Sequence, residues 1–210
     1  CGAMSDSDNF LNVIAARHCQ RAFLEKPVSN DILKTILATA ANAPSGKNTQ
    51  PWQVEVISGS KLAMLSERLC ELFDSKTPPS PDYEYNPDPQ PDDFTERARA
   101  CGYAIFEHKG IGRNDRAART EHSRQNFLFF KAPIACIFHL PKTAERGNFL
   151  DLGMFMQNVM LGLVSQGLGS CPQASVAGYP DAIREILDLD ASRLIVAGMA
   201  IGWPDPNAHI

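Results

Sequence analysis

The stretch LDLGMFMQNVMLGLVSQ, residues 150–166, places apolar side chains at Leu152, Phe155, Met156, Val159, Met160 and Leu163. This spacing predicts a helix, and the stripe is too broad for a helix that lies on a surface. It therefore predicts a central, largely buried element with other layers packed around it. Working outward, Ile134–His139 and Leu194–Ile201 read as buried strands on either side of this helix. Trp52–Ile57 alternates and is rich in β-branched residues, which predicts another strand, followed by a helix over residues 60–73. Ser29 or Asn30 can cap a helix whose buried stripe is Ile32, Leu33, Ile36, Leu37 and Ala40. Further helices are predicted over residues 93–108, 117–130 and 180–187, and Phe10, Val13 and Ile14 mark one more that delivers Arg17–Arg21 as a basic patch. Helices and strands are mixed without strict βαβ alternation, so the expected class is an α+β sandwich, with a central mixed sheet flanked by helices.

A chain of 210 residues with 44% hydrophobic and 21% charged residues is expected to form one domain, residues 4–210, with a real core. Cys1, Gly2 and Ala3 precede Met4 and read as an expression scar. The net charge of -4 is modest and the basic residues are spread out, so no nucleic-acid footprint appears. No apolar run approaches the roughly 20 residues of a membrane span, and the expected location is the cytoplasm. The six cysteines are scattered and the histidines show no close pairing, which predicts free thiols and no structural metal.

Residues 75–93 contain Pro78, Pro79, Pro81, Pro87, Pro89 and Pro91, too many for any regular element. We read this insert as a flap on the substrate side or an arm that wraps a dimer. Gly46-Lys47 fails as a phosphate loop, because Ala41 stands at the first glycine position and Asn48 where Ser or Thr should hold magnesium. Gly167-x-Gly169 fails as a dinucleotide fingerprint, because Pro172 replaces its third glycine. No nucleophile elbow is present.

Three segments rich in special residues remain: Arg17–Arg21, Pro44–Gln50 and Gly167–Ser175. Each alone also fits a plainer reading, as a solvated basic face, a turn and a helix C-cap respectively. Their order is more specific. Arg17-His18-x-x-Arg21-x-Phe23, then Ala43-Pro44-Ser45-x-x-Asn48-x-Gln50-Pro51-Trp52, resembles the N-terminal signature of the nitroreductase family. Asp151-x-Gly153 with Gln157-Asn158, Gly167-Leu168-Gly169-x-Cys171-Pro172, Ile183-Arg184-Glu185-x-Leu187 and Gly202-Trp203-Pro204 resemble its second half.

The resemblance implies an intertwined homodimer with flavin mononucleotide (FMN) at the shared interface, reduced by NADH or NADPH. The implied acceptors are nitroaromatic or other small electron-poor molecules, reduced in ping-pong fashion. Quinone, enone or flavin reduction, dehalogenation, or flavin binding without turnover are alternatives on the same fold. Arg17, His18, Cys19 and Arg21 match the segment that reaches the phosphate, ribityl chain and pyrimidine edge. Arginine suits this task through its planar fork of donors and its fixed charge. Cys19 stands where relatives often carry Ser. Pro44, Ser45, Gly46 and Asn48 match the loop that touches the flavin from the partner subunit, with Gln50 bracing it. Pro172, Gln173, Ala174 and Ser175 match the stretch along the central ring, and Asn126 is a further candidate. Relatives commonly continue past the Gly-x-Pro turn into a segment carrying Arg or Lys that completes the phosphate site, whereas this sequence stops at Ile210, so either the C-terminus is truncated or phosphate is held by fewer cations. No catalytic acid or nucleophile is expected, because the cofactor carries the chemistry.

Overall fold

The computed structural model describes residues 6–208; the proposed scar at residues 1–3 lies outside them. Its centre is a sheet of β1 (Gln53–Ser58), β2 (Ile134–Pro141), β3 (Gly169–Gln173) and β4 (Arg193–Gly202), in the order β1-β2-β4-β3. All three strand pairings are antiparallel. The mixed sheet expected from the sequence is thus corrected: the parallel component is a single bridge, Cys19 to Ser170, outside the named strands.

Strand β2 explains why the middle of the chain reads as one apolar run. Cys136, Phe138 and Leu140 point into one hydrophobic core, while Ala135 and Ile137 point into a second on the opposite face. A strand covered on both faces has no polar side to alternate with. The first core lies under α2 (Asn30–Ala40) and α6 (Arg146–Ser165), which supply Leu33, Ile36, Leu152, Phe155, Val159 and Leu163. The second lies under α3 (Gly59–Asp74) and α7 (Pro180–Leu187), which supply Leu65, Leu69, Ala182 and Ile183. The helix predicted from residues 150–166 is indeed central, and Gly162 lets it approach α2 closely: a Cβ there would sit 2.9 Å from Ile36 Cγ2.

The remaining helices are α1 (Asp6–Ala16), α4 (Asp92–His108) and α5 (Arg116–Arg124). Two boundaries differ from expectation. Helix α5 stops at Arg124 rather than continuing to Phe130, because Phe129 and Phe130 turn to positive φ and bury their rings in the second core. Gly167–Gly169 is not merely a helix cap. Gly167 (φ 73°) ends the helix, and Gly169 begins β3, a strand that the sequence reading omitted.

The proline-rich insert has no regular structure from residue 75 to 91, as expected, yet its first half is firmly anchored. Between β2 and β4 the register shifts at Phe138/His139, leaving Val196 as the extra residue of a bulge. Tyr83 Oη donates to the Val196 carbonyl at 2.8 Å, and Ile195 N donates to Asp82 Oδ2 at 2.9 Å. Asp82 also accepts from both terminal nitrogens of Arg184, at 2.6 and 3.1 Å. The insert therefore supplies hydrogen-bond partners to backbone groups of β4 at the bulge.

Candidate functional site

Helix α1 ends at Ala16 and delivers Arg17–Arg21 directly after it, as the sequence suggests, here as an extended hook. The hook lies alongside β3: Gln20 N donates to Ser170 O at 2.9 Å, next to the Cys19–Ser170 bridge. Gly169 is required for this contact, since a Cβ there would meet Gln20 Cβ at 2.9 Å. Gln20 is buried and holds the hook in shape, its amide donating to Ala22 O at 2.8 Å and its Oε1 lying 3.1 Å from His18 Nε2. In consequence Arg17, Cys19 and Arg21 stand beside the strand that leads into Pro172–Ser175.

The two arginines are half-buried, and among the described residues neither forms an ion pair. Their field is felt by Cys19. A hydrogen bond from Cys171 and the charges of Arg21 and Arg17 outweigh burial and bring the Cys19 thiol down to about 5. Cys171 holds the proton of the pair: the bond to Cys19 and burial both push its thiol up. The hook is thus an electropositive stretch of the chain.

At the end of β3, Gln173 is buried; its Nε2 donates to the Asn126 carbonyl, while its Oε1 is enclosed with no partner. Asn126 is brought to the site through its backbone, because its side-chain amide caps α5 by donating to Ser123 O at 3.1 Å. Ala174 and Ser175 are exposed at the start of a 3-10 turn, Ala174–Gly178, where the first amides have no acceptor within the turn. A cleft of about 730 Å³ opens here between Pro172, Gln173, Phe149, Met156, Tyr83 and Tyr85. It is a partly apolar slot with a polar edge, the form that small-molecule sites usually take.

The loop Pro44–Gln50 sits on α6, apart from the hook. Gly46 N donates to the buried Asp151 carboxylate at 3.3 Å, a contact that the sequence reading did not assign. Lys47, Asn48 and Gln50 all have positive φ. Gln50 braces the turn, its N donating to Ser45 Oγ at 2.9 Å and its side-chain amide to Asn48 Oδ1 at 3.0 Å. The loop is largely exposed, with its tip at Gly46–Asn48 open to solvent.

An α+β sandwich thus carries a cationic hook laid along one strand, beside a polar turn and an apolar slot. The chain belongs to the nitroreductase family, whose sequence profile matches residues 14–203. It is 36% identical over 204 residues to a 4-nitrobenzoate reductase of Pseudomonas putida, covering 97% of this chain and 89% of that protein. A nitrobenzene nitroreductase of Ectopseudomonas oleovorans is 32% identical, with 92% and 86% covered. Among solved structures, the FMN-dependent nitroreductase NfnB from Mycobacterium smegmatis in complex with NADPH superposes with a TM-score of 0.92 at 28% identity, covering 97% of this chain and 91% of that one.

Proposed function

We propose that this chain is an FMN-dependent nitroreductase that oxidises NADPH or NADH and reduces nitroaromatic acceptors. The observation that carries the reading is the pair Arg17 and Arg21, half-buried, unpaired with any described carboxylate and held beside Pro172–Ser175. Such cations suit both a phosphate and a ring that gains negative charge on reduction. The unpartnered Gln173 Oε1 and the exposed amides of Ala174 and Ser175 suit the polar edge of a flavin. When bound, the flavin supplies two-electron storage between nicotinamide and acceptor. The chain's own residues bind and orient it: Arg17 and Arg21 by charge, Cys19 and His18 along the hook, and Pro172–Ser175 against the ring. Tyr83, Tyr85, Phe149 and Met156 line the slot in which an aromatic acceptor would lie and from which they displace water.

The second copy enters through the apolar face of α1, where Phe10, Leu11 and Ile14 are 57%, 63% and 43% exposed. Beside them a groove of about 690 Å³ runs between α1, α2 and α6. An apolar patch of this kind marks an association surface, and we assign it to a homodimer in which Pro44, Ser45, Gly46 and Asn48 reach the partner's flavin. No described helix is long and apolar enough to cross a membrane; we place the enzyme in the cytoplasm, where reduced nicotinamide is supplied.

The test is a visible absorption spectrum of FMN-loaded protein under anaerobic conditions. NADPH should bleach the flavin bands and a nitrobenzoate should restore them. Protein that takes up no flavin, or flavin that NADPH leaves oxidised, would refute the assignment.

A further inference from the structure

Beyond Arg21 the hook opens onto a second cleft, about 670 Å³, formed where α4 ends and α5 packs. Its walls carry Arg21, Lys109, His108 and His122 against, among the described residues, a single lining carboxylate, Glu121, which already accepts from the Gln125 amide. Lys109 and His122 are half-buried, and both are held below their usual values. Burial is the larger cause for each; Arg21 adds to it at Lys109, and Lys109 and then Arg21 add to it at His122. Three groups that repel one another in a fixed cleft all stabilise an anion placed among them. The His122 ring is held in place by Phe106, edge-on at 5.5 Å between centroids, and Phe106 is covered in turn by the Arg119 guanidinium at 4.7 Å. His122 Nδ1 is enclosed without a partner, so the imidazole is positioned but uncommitted on that side.

We propose that Arg21, Lys109 and His122 form a phosphate-monoester site at the outer end of the flavin cradle. Such a group brings up to two negative charges and three strong acceptors, which match the cluster in charge and in donors. The inference rests on the flavin reading of the hook, because that reading brings two phosphate monoesters to the protein: the terminal phosphate of FMN and the 2′-phosphate of NADPH. Riboflavin lacks the first and NADH lacks the second, so the pairs separate the sources.

The experiment uses the full chain with Lys109→Gln, His122→Gln and Lys109→Arg. Apoprotein is titrated with FMN and with riboflavin by flavin fluorescence, and FMN-loaded protein with NADP⁺ and NAD⁺ by difference absorbance. Losing one charge-assisted contact should cost about tenfold in affinity. A tenfold fall in the preference for FMN over riboflavin in the Gln variants, with Lys109→Arg keeping most of it, puts the flavin's phosphate in the cleft. The same fall confined to NADP⁺ over NAD⁺ puts the donor's phosphate there. Unchanged preferences in both pairs, or an equal loss for all four ligands, overturn the site while leaving the flavin reading intact. An unsubstituted chain that binds no flavin overturns both.

Discussion

Arg17 and Arg21 both bear on Cys19 because an extended hook carries all three alongside β3. Replacing each with Ala should weaken FMN binding by about 1.5 to 3 kcal/mol per lost charge-assisted contact. Fluorescence titration measures this, and the circular dichroism spectrum should not change, since neither residue fills a core. Cys19 gives a second prediction at this scale. Its thiol falls from an ordinary 9.0 to about 5 in the folded chain, so ionisation is easier folded than unfolded. The stabilisation is complete above about pH 9 and disappears as pH falls through about 5. In apoprotein, alkylation of Cys19 by iodoacetamide should already be fast at pH 7, and Arg21→Ala should shift its midpoint upward. Peptide mapping of alkylated protein across pH 4–9 checks both. These candidate residues were legible in the sequence because the hook, the Pro44–Gln50 loop and Pro172–Ser175 are each a continuous stretch with special residues at fixed offsets. Lys109 and His122 were not: they stand 88 and 101 residues beyond Arg21, and only the packing of α4 on α5 unites them.

At the scale of elements, the sheet was read for three of its strands and missed for the fourth. Strand β3 contains Gly169 and Pro172, neither of which favours a strand, and only its pairing with β4 defines it. The insert was read as irregular, but its anchor at the bulge could not be foreseen, because Asp82 and Arg184 are 102 residues apart. The anchor is consequential. Asp82 and Arg184 expose only 10% and 12% of their side chains, so removing Asp82 leaves the enclosed Arg184 charge with the exposed Asp181 as its one carboxylate among the described residues. Asp82→Ala should destabilise the fold by roughly 3 kcal/mol, read from urea unfolding. Tyr83→Phe removes one hydrogen bond to Val196 and should cost only about 1 kcal/mol. If Asp82→Ala were neutral, the insert would be resting on the bulge without sealing it. Gly162→Ala should also destabilise, since its Cβ must displace Ile36 from the α2–α6 seam.

For the whole molecule, the two cores on opposite faces of one sheet give a rigid platform, and the exposed apolar face of α1 is the surface we propose for a second copy. Ile14→Glu with Leu11→Glu should shift the protein from dimer to monomer in sedimentation velocity, and flavin should be lost with the partner. A dimer of unchanged stability would send the interface elsewhere. The insert's fixed points end at Tyr83, while Tyr85 overhangs the slot with 68% of its surface exposed. Foundation and fingertip are thereby uncoupled: substitutions within residues 84–90 should change acceptor preference in a turnover panel while the melting temperature stays where Asp82 sets it.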